Sequence, residues 1–136
     1  MIDRSAVPAT SDPSPTSKTF PPDTRSVRAA RAFVNEVVQP CPAGDDIALV
    51  VSELAANAVL HTATPFTVSI TARTDAVRVE VEDGSSQLPN LPAESQLVPT
   101  GRGLRIVQEL TQARGAHQTP DGKVVWAEVR VDPIAG

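Results

Sequence analysis

The stretch FTVSITARTDAVRVEVED, residues 66–83, decides the fold. Phe66, Val68, Ile70 and Ala72 alternate with polar residues, and Val77, Val79 and Val81 alternate with Arg78, Glu80 and Glu82. A period of two puts each apolar set on one face of a half-buried strand. Thr74 and Asp75, between the two runs, suit a turn. The stretch therefore reads as a β-hairpin, the start of a largely antiparallel sheet with one face to be covered.

Working outward, the covering elements have helical spacing. Upstream, Gly44, Asp45 and Asp46 open a segment in which Ile47, Val50, Val51, Leu54 and Ala58 form one apolar stripe. It is expected to end near His61 or Thr62, because Pro65 disfavours helix at the residue before it. Further upstream, Asp23 or Thr24 caps a helix bearing Val27, Ala30, Phe33 or Val34, and Val37 or Val38, which Pro40 and Pro42 stop near Gln39. Downstream, Gly101-Arg102-Gly103 leads into Leu104, Ile106, Val107 and Leu110, a third helix expected to end at Gly115. Asp121-Gly122 is a turn signal, and Val125, Ala127, Val129 and Val131 form a last strand that Pro133 closes, so one or two strands are expected after the third helix. The expected class is α+β: a two-layer sandwich whose mixed, mostly antiparallel sheet is covered on one face by about three helices. Residues 1–19, rich in Pro, Ser and Thr, are expected to be a disordered tail, and residues 20–133 the domain. Residues 84–100 hold three prolines and no period. A connection that long inside a compact domain is usually functional.

Composition removes several classes. A chain of 136 residues, 40% hydrophobic and 21% charged, is one globular domain's worth. Twelve basic against sixteen acidic residues give a net charge of −4, with no basic stripe, and aromatics are 3%. Direct nucleic-acid binding is therefore not expected. No apolar run approaches the ~20 residues of a membrane span, and the first 20 residues carry no apolar signal core. The expectation is a cytoplasmic protein. The single cysteine, Cys41, excludes an internal disulfide, and one cysteine with two histidines makes a Cys/His zinc site improbable.

Three features carry chemistry. Glu53 and Asn57 lie four apart on the second helix, one above the other and beside its apolar stripe. A carboxylate there can accept a proton, and a carboxamide oxygen can ligate a hard cation such as Mg²⁺. The plain alternative is a surface polar pair. Asp83 shares strand parity with Val77, Val79 and Val81, so in a regular strand it faces the core, where an acceptor-only group suits an amino donor such as that of adenine. Alternatively the strand ends one residue early and Asp83-Gly84 is a turn. Gly101-Arg102-Gly103-Leu104 at a helix start offers free backbone N–H groups and a cation to an anion. His61 reads as a packing residue near the end of its helix, and Trp126 as a packing residue on the last strand.

The ordered set ELAANAVLH at 53–61, VEVEDGS at 79–85, TGRGLRIV at 100–107 and GKVVWAEV at 122–129, with FPPDTRSVRAARAFV at 20–34, resembles the ATP-binding domain of the histidine-kinase-like ATPase (GHKL, Bergerat fold) superfamily. Within it the chain looks most like the anti-sigma factor serine kinases and their actinobacterial relatives. The resemblance covers roughly residues 20–131. It implies ATP and Mg²⁺ as cofactors. Glu53 would be the catalytic base that takes a proton from a substrate serine, and Asn57 the Mg²⁺ ligand. Asp83 with Gly84 would hold the adenine. Residues 85–100 would be a lid over the nucleotide. Gly101, Arg102, Gly103 and Leu104 would hinge that lid and cradle the phosphates. The implied partners are a sigma factor and an anti-sigma factor antagonist (STAS-type) domain, and the implied assembly is a homodimer. A non-catalytic module that senses nucleotide and regulates a partner protein is the alternative function, and a domain that no longer binds nucleotide is a third. The sequence departs from the superfamily pattern in three places. One glycine, Gly84, follows Asp83 where Asp-x-Gly-x-Gly is usual; the last strand opens GKVV without the usual threonine; and Ser85 to Thr100 contains no Lys or Arg.

Overall fold

The computed structural model describes residues 14–38, 43–85 and 102–131, apart from the side chains at 102–104 and 106. The hairpin forms as read. Strand β2 (Phe66–Ala72) pairs antiparallel with β3 (Ala76–Asp83), with Val68 facing Val81 and Ile70 facing Val79. Its turn is closed by the Arg73 amide donating to the Ala76 carbonyl at 2.8 Å.

The two edge strands of the sheet carry little apolar periodicity. Strand β1 (Thr16–Phe20) pairs with the outer edge of β2, so residues 16–19 of the stretch expected to be a disordered tail lie in a strand. Composition misled here because an edge strand needs backbone partners rather than apolar side chains. Thr is a good strand former, and Ser17–Ser69 (2.8 Å) and Thr19–Thr67 (2.7 Å) hydroxyl pairs cross the two strands. Strand β4 (Ala113–Thr119) lies at the opposite edge and contains Gly115, which was expected to end the third helix. That helix stops earlier, at Leu110, where the Gln112 amide reaches the Glu128 carbonyl at 2.9 Å. Gly115 instead makes room for Trp126. A Cβ on it would lie 2.9 Å from the indole.

Strand β5 (Gly122–Arg130) starts three residues before Val125 and pairs with both β3 and β4. The sheet order is β1-β2-β3-β5-β4, and every pairing among the described residues is antiparallel rather than mixed.

Three helices supply the second layer: α1 (Arg25–Val38), α2 (Gly44–His61) and α3 (Arg102–Leu110). Asp23 caps α1, its Oδ1 accepting the Arg25 amide at 2.8 Å. That bond and the Arg25 guanidinium hold its carboxyl below the usual carboxylate range. Helix α2 ends at His61, where Thr62 turns extended and its amide and hydroxyl both donate to the Ala58 carbonyl, at 3.0 Å each. The stripe Ile47, Val50, Val51, Leu54 and Ala58 is buried as read, against Phe66, Val68, Ile70, Val77, Val79, Val81, Val125, Ala127 and Val129 of the sheet. Phe20 stacks on Phe66 with centroids 5.5 Å apart and meets Phe33 edge-on, joining β1 and α1 to this core. His61 is exposed rather than packed. Trp126 packs on the open face of the sheet, under the Arg78 guanidinium at 4.2 Å.

Candidate functional site

The end of the sandwich where α2 hands the chain to β2 gathers the polar residues that the core excludes elsewhere. Phe66, the first residue of β2, faces Asp83, the last residue of β3, and Asp83 faces Lys123 near the start of β5. Strand β3 stays regular to its end. Asp83 therefore points to the helix-covered face, as its parity with Val77, Val79 and Val81 predicts, and the reading in which Asp83 lies beyond the strand in a turn does not hold.

The Asp83 carboxylate is buried, 2% exposed, and is met by an ammonium group that sequence reasoning did not assign. Lys123 Nζ donates to Oδ1 at 3.0 Å and lies 2.9 Å from Oδ2, with its own side chain 6% exposed. The Ser85 amide also donates to Oδ1, at 2.8 Å. The signal for Lys123 was legible as the GKVV opening of the last strand, where the superfamily usually has a threonine. Its meaning needed the β3–β5 register, because the pairing residues lie 40 apart in sequence.

The backbone around Asp83 is held just as tightly. The Gly84 amide donates to Thr64 Oγ1 at 2.9 Å, tying the end of β3 to the α2–β2 connection. Gly122 packs directly on this corner. A Cβ there would overlap the Asp83 carbonyl oxygen and come within 2.8 Å of the Asp83 carbonyl carbon and Gly84 Cα. These are backbone atoms that cannot rotate aside. Gly122→Ala is expected to lower stability by about 2–3 kcal/mol through forced backbone displacement, read as a shift of the urea midpoint. An unchanged midpoint would show that the corner can relax.

Asn57 lies one helical turn before the end of α2. It is 6% exposed, and its Oδ1 is buried with no hydrogen-bond partner among the described residues. An unpaired buried carboxamide oxygen is costly unless a ligand completes it. Ordinary surface pairing with Glu53 is thus not its role. The orphaned oxygen fits a hard cation such as Mg²⁺, which takes oxygen ligands and often has few from the protein itself. Glu53, one turn earlier, is half-buried. Burial pushes its carboxyl above the usual range, and the charge of Arg31 on α1 works in the opposite direction.

The structure thus brings Asp83, Gly84 and Asn57 to one end of the fold and sets Glu53 next along the same helix. Gly101 and the rest of the lid expectation, residues 86–100, lie outside the described residues, as do the side chains of Arg102 and Leu104. The backbone of Arg102, Gly103 and Leu104 forms the first turn of α3, as the Gly-x-Gly-Leu reading expects.

Among curated proteins none matches the chain. A solved structure, the histidine kinase domain from the Erythrobacter litoralis EL346 blue-light activated histidine kinase, superposes with a TM-score of 0.53 at 18% identity. The match covers 82% of this chain and 62% of that one, a likeness of fold in which the chain spans less than two-thirds of the other protein. The family model of the histidine kinase-like ATPase domain matches residues 20–129, from the end of β1 through nearly all of β5. By that match and by the sandwich that carries it, the chain belongs to the histidine kinase-like ATPase domain family.

Proposed function

We propose that this domain binds ATP with Mg²⁺ and acts as an anti-sigma regulatory factor, a serine/threonine protein kinase that phosphorylates an anti-sigma factor antagonist domain. The observation that carries the reading is the pairing on α2 of an orphaned, buried carboxamide oxygen at Asn57 with a carboxyl at Glu53 whose proton affinity burial has raised. Asn57 would hold Mg²⁺, which when bound would neutralise charge on the phosphates. Asp83 would accept a hydrogen bond from the adenine amine. The first turn of α3 would present its backbone N–H groups to phosphate. Glu53 would accept the proton of the attacking hydroxyl. Positioning and charge neutralisation are most of what phosphoryl transfer requires, so this small set of groups suffices.

The proposed partners are a sigma factor, which the domain would hold inactive, and the antagonist, whose phosphorylation would switch the complex. The implied assembly is a homodimer and the implied compartment the cytoplasm. Among the described residues no helix is long and apolar enough to cross a membrane.

The test is equilibrium binding of ATP with and without Mg²⁺. Wild-type affinity is expected to rise with Mg²⁺, and Asn57→Ala is expected to lose about tenfold in Mg²⁺-dependent affinity while keeping its metal-free affinity. Absence of binding at millimolar ATP would remove the reading. A second reading, a nucleotide-sensing module without catalysis, is favoured by one observation: Asp83 is already engaged by Lys123. It predicts that partner affinity responds to ATP and that Glu53→Gln leaves that response intact.

A further inference from the structure

Lys123 is given no contact with the nucleotide above, yet its ammonium sits on Asp83, the carboxylate proposed to hold the base. The charged ends of Lys123 and Asp83 meet with side chains 6% and 2% exposed. An ionised carboxylate offers about four acceptor positions and an ammonium three donors. Lys123 Nζ and the Ser85 amide occupy Oδ1 at 3.0 and 2.8 Å, and Lys123 also reaches Oδ2 at 2.9 Å. Among the described residues this leaves at least one acceptor position on Asp83 beside at least one N–H donor on Lys123.

A neutral amine on a base is a poor competitor for the ammonium. Breaking a buried ion pair leaves an uncompensated charge, whereas the incoming amine contributes one hydrogen bond to a carboxylate. A bound base therefore meets the pair, not the carboxylate alone. We propose that Lys123 is a specificity-determining residue of the base pocket, donating to a ring nitrogen next to the amine that Asp83 accepts. In adenine that acceptor is N1 or N7, which flank the exocyclic amine. The inference rests on the ATP-binding reading and assigns base selection to a donor–acceptor couple rather than to Asp83 by itself.

The experiment is calorimetric binding of ATP, 1-deaza-ATP and 7-deaza-ATP to the full chain, for wild type, Lys123→Met and Lys123→Arg. One deaza analogue is expected to bind wild type at least tenfold more weakly than ATP, as removing a partner from a charge-assisted hydrogen bond predicts. Lys123→Met is expected to bind ATP at least tenfold more weakly than wild type and to bind that analogue and ATP alike. Lys123→Arg, which keeps the charge and the donor, is expected to keep the discrimination, so the test stands even if the methionine variant folds poorly. Three results would overturn the inference while leaving ATP binding intact. These are equal wild-type affinity for all three nucleotides, undiminished discrimination in Lys123→Met, or tighter ATP binding by Lys123→Met, which would make Lys123 a plug. Failure of wild type to bind any nucleotide would overturn the ATP reading itself, and this inference with it.

Discussion

Asp83→Asn is expected to destabilise the domain by about 3–5 kcal/mol, the range found when one partner of a buried ion pair is removed. The substitution preserves the shape of the side chain and removes its charge. The Lys123 ammonium would then sit 6% exposed with no counter-charge on Asp83. For a domain whose whole stability is about 5–15 kcal/mol, the melting temperature should fall on the order of 10 °C. The paired substitution Asp83→Leu with Lys123→Met is expected to recover most of the loss, because apolar replacement of both partners is often neutral or stabilising. A loss below about 1 kcal/mol in the single variant would mean that Lys123 swings into water once its partner is gone. That result would also remove the ground for treating the pair as a fixed feature of the pocket. The size of the effect separates Asp83 from a surface carboxylate, whose ion pairs contribute about 0–1 kcal/mol.

Glu53→Gln is expected to reduce phosphoryl transfer about 10²–10⁴-fold, the usual contribution of a positioned general base, while ATP affinity stays within about threefold. Transfer to the antagonist domain from labelled ATP measures the first quantity and calorimetry the second. The pH profile adds a second readout. A base acts when deprotonated, so the rate falls as pH drops through its pKa. Burial raises the Glu53 pKa and Arg31 opposes the rise. The acid limb of the profile should therefore lie above the ordinary carboxylate range, and Arg31→Gln should move it higher still. Stability follows with the opposite sense. Because the folded-state pKa is raised, the contribution of Glu53 to folding is fully present below its unfolded pKa and is lost as pH rises through the folded value. Glu53→Gln should thus be no less stable than wild type at neutral pH. Full transfer activity in this variant would remove Glu53 from catalysis and leave the sensing module as the better reading.

Much of this architecture was legible in local pattern. The hairpin at 66–83 and the stripe of α2 are strong period-two and period-3.6 signals. Each residue's environment there follows from its own neighbours along the chain. Asp83 was legible for the same reason, since strand parity alone turned it inward. Glu53 and Asn57 were legible as a same-face pair, and their order before Asp-Gly and Gly-x-Gly pointed to the family.

The edge strands were not legible. Residues 16–20 and 113–119 carry little apolar alternation and are strands because the backbones of β2 and β5 lie beside them. The absence of a partner for Asn57 Oδ1 among the described residues, and the burial that raises the Glu53 proton affinity, exist only once α2 is packed against the sheet and its neighbours. Lys123 shows the division most sharply. Its identity was visible in the sequence as the departure in GKVV, but a lysine at the start of an amphipathic strand ordinarily reads as solvated. Antiparallel register across β3 and β5 carried it next to Asp83 and out of water. Charge pairing between residues 40 apart is a property of the assembled sheet, because no local interaction brings them together.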